Sequence, residues 1–212
     1  MGNDKETKSK LIESAKKEFM EKGYMKASLR DICKNAGVTT GAMYFVFKDK
    51  DDLFAAVVGE PLNKLKNIIE SHMSEELGII DKYEPGVKYN LQDDKEAAIQ
   101  TVKILFRYKD EYELLITKSQ GSSFENVIDD IADMLNNHYC KLFRAMKGYA
   151  SKRQMTKEDK FIVHWMAHDQ VDLFVHLLTH CKNEKDALAQ LSGMLNYLIG
   201  GWFAVIGNHY LV

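Results

Sequence analysis

Proline is nearly absent, with two residues in 212, and no segment sustains a period-2 alternation of apolar and polar residues. Strands are therefore not expected, and the chain reads as all-α. Cysteine is sparse too. Cys33, Cys140 and Cys181 are odd in number, far apart and never in a Cys-x-x-Cys pair, which argues against a disulfide framework or a zinc finger. No charged-then-apolar signal opens the sequence, so a reducing cytoplasm is the expected compartment. No nucleophile–base pairing, glycine-rich phosphate loop or framed carboxylate pair occurs, so no enzyme, cofactor or bound metal is expected.

What the chain does have is a series of helix starts. Polar-x-x-acidic caps recur at Asp49/Asp52, Asp93/Glu96, Ser122/Glu125, Thr156/Asp159 and Asn183/Asp186. With the apolar periodicity they predict helices over about 4–22, 28–36, 39–46, 50–59, 61–77, 93–108, 110–119, 123–148, 157–181 and 184–208. The loop 78–92, with Pro85-Gly86, is the longest irregular stretch expected. Inside a helix Pro61 removes a hydrogen bond and clashes with the carbonyl of Val57, so a break or kink is expected near Gly59-Glu60. A plain turn with proline at the first helical position is the simpler form of that break.

The stretch from Ser28 to Lys50 is the most informative. Ser28 with Asp31 starts a short helix whose apolar face is Leu29, Ile32 and Ala36. Gly37 sits where the chain must leave it, since glycine takes a left-handed turn without a Cβ penalty. Thr39 then caps a second short helix with Val38, Met43 and Phe47 inward. Its outward set is Thr40, Gly41, Tyr44 and Phe45, unusual for a face meant only for water. The helix before, with Leu11, Ile12, Ala15 and Phe19 inward, completes a three-helix unit. This is the spacing of a helix-turn-helix, and such a face suits a DNA major groove.

The segment from about residue 10 to 54 resembles the TetR family of transcriptional regulators. The matching elements are Gly23-Tyr24, Ser28-Leu29-Arg30-Asp31-Ile32, Ala36-Gly37-Val38-Thr39-Thr40-Gly41-Ala42-Met43-Tyr44, Phe47 and Lys50-Asp51-Asp52-Leu53, in order and without a gap. Cys33 stands where the family usually has Ala, and Val46 where His or Tyr often touches a phosphate. The resemblance implies Arg30, Thr40, Tyr44 and Phe45 at base edges or nearby sugar-phosphate, with Gly41 in the same DNA-binding set. Ser28, Thr39 and Lys50 are implied to hold phosphates. It also implies a homodimer on a palindromic double-stranded operator, usually repressing, and released by a small-molecule effector.

Charge agrees with this division. Residues 1–50 carry a net +4 and residues 51–212 a net −6, so one end of the chain is suited to approach DNA. Chance on solvated helix faces produces such a difference as well. The expected architecture is a helix-turn-helix domain over 1–50 and a helical-bundle domain for ligand binding and dimerisation over 51–212.

Helix 157–181 carries His164, His168, Asp172, His176 and His180 at four-residue steps. Adjacent pairs share a face and offer a metal site in a competing reading as a helical metal-binding protein or metalloenzyme. Each step advances about 40° around the helix, so the whole stripe cannot serve one ion. Met73, Phe106, Tyr112, Met134, Trp165 and Met166 are candidates for an apolar cavity, with Trp165 and His168 singled out for its wall.

From Ala187 to Val212 there is no Asp, Glu, Lys or Arg. That length invites a tail-anchored reading. Against it, the uninterrupted apolar core runs only from Leu198 to Ile206, and no basic cluster flanks it. A helix–helix interface in water, with no membrane, is the expectation. Leu191, Met194, Leu195, Leu198, Ile199, Trp202 and Phe203 supply apolar surface, and Gly193, Gly200 and Gly207 leave room for a close neighbour.

Overall fold

A computed structural model describes residues 2–80, 91–149 and 154–207. Among them are nine helices and no strand: α1 (Gly2–Lys26), α2 (Leu29–Ala36), α3 (Thr40–Val46), α4 (Lys50–Ile80), α5 (Gln92–Arg107), α6 (Lys109–Thr117), α7 (Val127–Met146), α8 (Lys157–His180) and α9 (Glu184–Ile206). The all-α expectation holds. Pro85-Gly86 and the C-terminal residues from Asn208 onward lie outside the described residues.

The expected break at Pro61 does not occur. Pro61 lies inside α4, which is one helix where two were expected. Phe54, Val57, Val58, Pro61 and Leu62 are all buried and follow helical spacing on both sides of the proline. Burying each such side chain is worth about 1.5–3 kcal/mol, and together they outweigh the roughly 3 kcal/mol cost of an interior proline. The Tyr112 hydroxyl also donates to the Pro61 carbonyl at 2.6 Å.

The helix expected from residue 123 starts only at Val127. Glu125, expected in a helix cap, instead accepts the Gly121 N–H, and the Ser122 hydroxyl donates to the Ser119 carbonyl. Those bonds favour successive turns.

The chain divides into two compact units, Met1–Lys64 with Tyr108–Val127, and Leu65–Arg107 with Ile128–Val212. This differs from a cut at residue 50: the helix-turn-helix keeps the first part of α4 and all of α6. Its cohesion is long-range. Phe19, Tyr24 and Phe54 pack as a ring cluster with centroids 5.0–6.0 Å apart. Tyr112, Leu114 and Leu115 of α6 are buried, and Lys16 pairs with Asp110 and Glu111 at 3.0 and 2.9 Å.

In the second unit α5, α8 and α9 pack on one another. One core gathers Ala98 and Val102 of α5, Leu173 and Leu177 of α8, and Ala187 and Leu191 of α9. The other joins Leu142, Phe143 and Met146 of α7 to Val163, Phe203 and Ile206. A reciprocal capping box between Thr156 and Asp159 starts α8, and Gly207 at φ 82° ends α9. Among the described residues α9 is the one helix long and apolar enough to cross a membrane by length and composition.

Candidate functional site

The two short helices at residues 29–46 are fixed by local bonds. Ser28 caps α2 by accepting the Asp31 N–H at 3.3 Å. Its own N–H goes not to Asp31 but to the buried carboxylate of Glu18 at 3.1 Å, so α1 completes the cap. Gly37, at φ 65°, donates to the Lys34 carbonyl, while Val38 N–H reaches the Cys33 carbonyl at 2.9 Å. That pair of bonds is a Schellman ending, which needs the left-handed residue. Thr39 accepts the Ala42 N–H at 3.2 Å and starts α3.

Met43 and Phe47 are buried beneath α3, as expected. Thr39, Thr40 and Gly41 are exposed on the opposite side, with Tyr44 at 55% and Phe45 at 81% exposure. Arg30 on α2 is exposed, and Ser28 is half-buried. Lys50 differs from the expectation that it holds a phosphate. Its ammonium donates to the carbonyls of Tyr24 and Met25 at 2.8 and 3.3 Å and lies 4.5 Å from the Tyr24 ring centroid. Lys50 therefore fastens the start of α4 to the end of α1.

A cavity of about 150 Å³ lies within the second unit. Tyr139, Met146, Trp165, Met166 and Trp202 contribute to its wall, with Glu76 and Asp94 at the polar part. Trp202 is oriented by an Nε1–H bond to Met146 Sδ and by packing 5.2 Å from the Tyr139 ring. Trp165 lines this cavity. His168 does not, and its ring stands against His164 at 4.6 Å. Of the other apolar candidates, Met166 lines the cavity, while Tyr112 belongs to the core of the first unit.

The C-terminal helices show an apolar outer face, though not quite the one expected. Leu191 and Phe203 are buried in their own unit's cores, with Met194, Leu195 and Leu198 against one core and Ile199 and Trp202 against the other. Gly193, Tyr197, Gly200, Gly201 and Ala204 are exposed instead. On α8, Phe161 and Trp165 are exposed alongside His164, His176 and His180. A helix apolar on every side cannot reveal from sequence which side its own chain covers.

Sequence reasoning missed one cluster. His72 and Glu76 on α4, Asp94 on α5 and His138 on α7 converge within the second unit. The local signal was the four-residue step from His72 to Glu76, which puts both on one face. Burial lowers the pKa of His72, but its bond to Asp94 and the Glu76 and Asp94 charges outweigh that and hold it above the ordinary value.

A capped two-helix turn with an exposed aromatic face on a buried three-helix base defines the helix-turn-helix class of DNA-binding domain. Residues 11–57 match the sequence pattern of bacterial regulatory proteins, tetR family. The HTH-type transcriptional repressor BepR of Brucella suis biovar 1 (strain 1330) is 41% identical over 54 residues, 26% of this chain and 26% of that protein. The chain thus matches about a quarter of the length of such curated relatives. Over the whole fold, a transcriptional regulator (TerR/AcrR family) from Aquifex aeolicus VF5 is similar with a TM-score of 0.60 and 19% identity, covering 91% of this chain and 99% of that one. NalD, the secondary repressor of the MexAB-OprM multidrug efflux pump in Pseudomonas aeruginosa, gives 0.62 at 18% identity, covering 93% and 97%. Residues 11–57 thus carry a tetR-family DNA-binding domain, and the chain shares the all-helical fold of these solved structures.

Proposed function

We propose that this chain is a cytoplasmic, homodimeric repressor that binds a palindromic operator and releases it when a small molecule enters the cavity of the second unit. The observation that carries this reading is the outward pair Tyr44 and Phe45 on α3. Two large aromatic side chains held in water on a capped helix mark a contact surface, and a helix of this kind fits the major groove. Arg30, Thr40 and Gly41 extend that surface toward base edges and sugar-phosphate. Ser28 and Thr39 are placed for phosphates; Lys50 acts by holding the start of α4. BepR and NalD are named as repressors, which supports repression here.

One helix-turn-helix reads only a few base pairs, so specificity requires a second half-site and a two-fold axis. The dimer is proposed through the exposed faces of α8 and α9, where Phe161, Trp165 and Tyr197 flank the small residues Gly193, Gly200 and Ala204. On this reading α9 meets a partner helix and not a bilayer, and the chain performs no catalysis.

Selection from random duplexes followed by gel-shift titration tests the reading. The expected result is an inverted repeat bound by the wild type and lost with Tyr44→Ala plus Phe45→Ala at unchanged helix content. Failure to enrich any sequence, or equal binding by the double variant, overturns it.

A further inference from the structure

The His72, Glu76, Asp94 and His138 cluster joins three helices of the second unit. His72 Nε2 lies 3.4 Å from Asp94 Oδ1 and 3.8 Å from Glu76 Oε2. One ligand atom from each of His72, Glu76 and Asp94 falls within 4.8 Å of the other two. His138, only 1% exposed, sets its Nε2 2.7 Å from the same Glu76 oxygen.

An ion-pair network alone leaves this cluster poorly satisfied. The side chains of Glu76 and Asp94 are 12% and 18% exposed, so two like charges are held together largely out of water. One imidazole, His72, faces both of them. Among the described residues, His72 Nδ1, Asp94 Oδ2 and His138 Nδ1 are buried without a hydrogen-bond partner. Unsatisfied buried groups cost free energy, and buried charges are paired or coordinate metals.

The spacings suit an ion better than a hydrogen-bond network. Two ligand atoms each about 2.0–2.2 Å from a tetrahedral ion stand about 3.3–3.6 Å apart. The His72–Asp94 separation of 3.4 Å falls in that range, and the His72–Glu76 separation of 3.8 Å lies just above it. One imidazole with two carboxylates is a borderline-to-hard donor set. It lacks the thiolates that favour copper(I) and the six to eight oxygens that favour calcium.

We propose that His72, Glu76 and Asp94 bind one divalent first-row transition-metal ion per chain, with His138 as the positioning residue that donates Nε2–H to Glu76. His72 and Glu76 share a face of α4 one turn apart, and Asp94 sits in the first turn of α5, so secondary structure presets all three ligands. Glu76 and Asp94 also belong to the cavity wall, so the ion's remaining coordination positions open to it and take water.

Zinc titration of the full chain by calorimetry, with elemental analysis after chelator treatment and dialysis, tests the proposal. One Zn2+ per chain is expected, lost with His72→Gln plus Asp94→Asn. His138→Leu is expected to weaken binding about 10–100-fold, as removing a ligand's hydrogen-bond partner does. His138→Gln, which keeps a donor, recovers part of that loss. Replacing His164, His168, His176 and His180 by Ala leaves the affinity unchanged. If the double variant does not fold, Asp94→Asn alone, which keeps the side-chain shape, gives the same reading. No bound zinc in the wild type, equal binding by the ligand variants, or loss with the α8 histidines overturns the proposal.

Discussion

The carboxylate of Asp51 accepts the backbone N–H of Ser123 at 2.9 Å, joining the first turn of α4 to the turns before α7 across 72 residues of sequence. Burial pulls the Asp51 pKa upward, but the bonds from Ser123 and the Tyr24 hydroxyl outweigh it and hold it below the usual carboxylate value. The Tyr24 hydroxyl is pushed up to about 12, by burial first and then by Asp51 and Asp49.

A carboxyl depressed in the folded state adds stability above its unfolded pKa and loses it as pH falls through the folded one. Asp51→Asn is therefore expected to be less stable than wild type at pH 7, by about 1 kcal/mol for a charge-assisted bond at a partly exposed site. The gap should narrow below about pH 4. Urea midpoints across that range check this, and a gap that stays constant down to the lowest pH at which both proteins fold would count against it.

Glycine substitutions in the first unit should separate backbone strain from steric conflict. Gly37 has φ 65° with nothing within 4 Å of an added Cβ, so Gly37→Ala should cost about 1–2 kcal/mol from the left-handed backbone alone. Gly121 has φ 85°, and its Cβ would stand 2.8 Å from Met25 Cγ. Gly121→Ala should cost more than Gly37→Ala, by the displacement of Met25. Thermal melts of the two variants decide the order.

Tyr44→Ala should lower operator affinity by about 1–3 kcal/mol and relax preference at one base pair. Thr39→Val, which removes both the side-chain cap of α3 and a hydroxyl proposed to hold phosphate, should instead weaken all sequences alike. Titrations of both variants against single-base operator variants distinguish these outcomes.

Gly200→Leu offers a clean test of the dimer. An added Cβ at Gly200 meets nothing within 4 Å in its own chain, so the variant should fold normally. Sedimentation at micromolar concentration should find a wild-type dimer and a variant monomer that no longer holds the operator. A wild-type monomer removes the second half-site from the proposed mechanism.

Trp165 and Trp202, the chain's two tryptophans, both line the cavity. A ligand entering it should change their fluorescence, and operator DNA should weaken that ligand by the same factor by which the ligand weakens DNA binding. Equal ligand affinity with and without operator would show that the two events are uncoupled.

The helix-turn-helix is legible in the order of residues alone. Its caps at Ser28 and Thr39, its left-handed Gly37 and its outward Tyr44 and Phe45 are set by residues at most five positions apart, and preferences of such short range need little knowledge of the rest of the chain. Long-range packing settled the remainder. Glu18 completes the first cap, Lys50 turns back on Tyr24, and α6 joins the N-terminal unit, all through partners distant in sequence. Burial on both sides of Pro61 likewise keeps α4 unbroken, because it outweighs the proline's local penalty. The His72, Glu76, Asp94 and His138 cluster belongs to the same class. Its members come from three helices, and nothing in the spacing between helices announces which of their faces will meet. In α9, apolar on all sides, the residues supply enough surface for a core and an interface together; packing against α5 and α8 chose which of them serve the core.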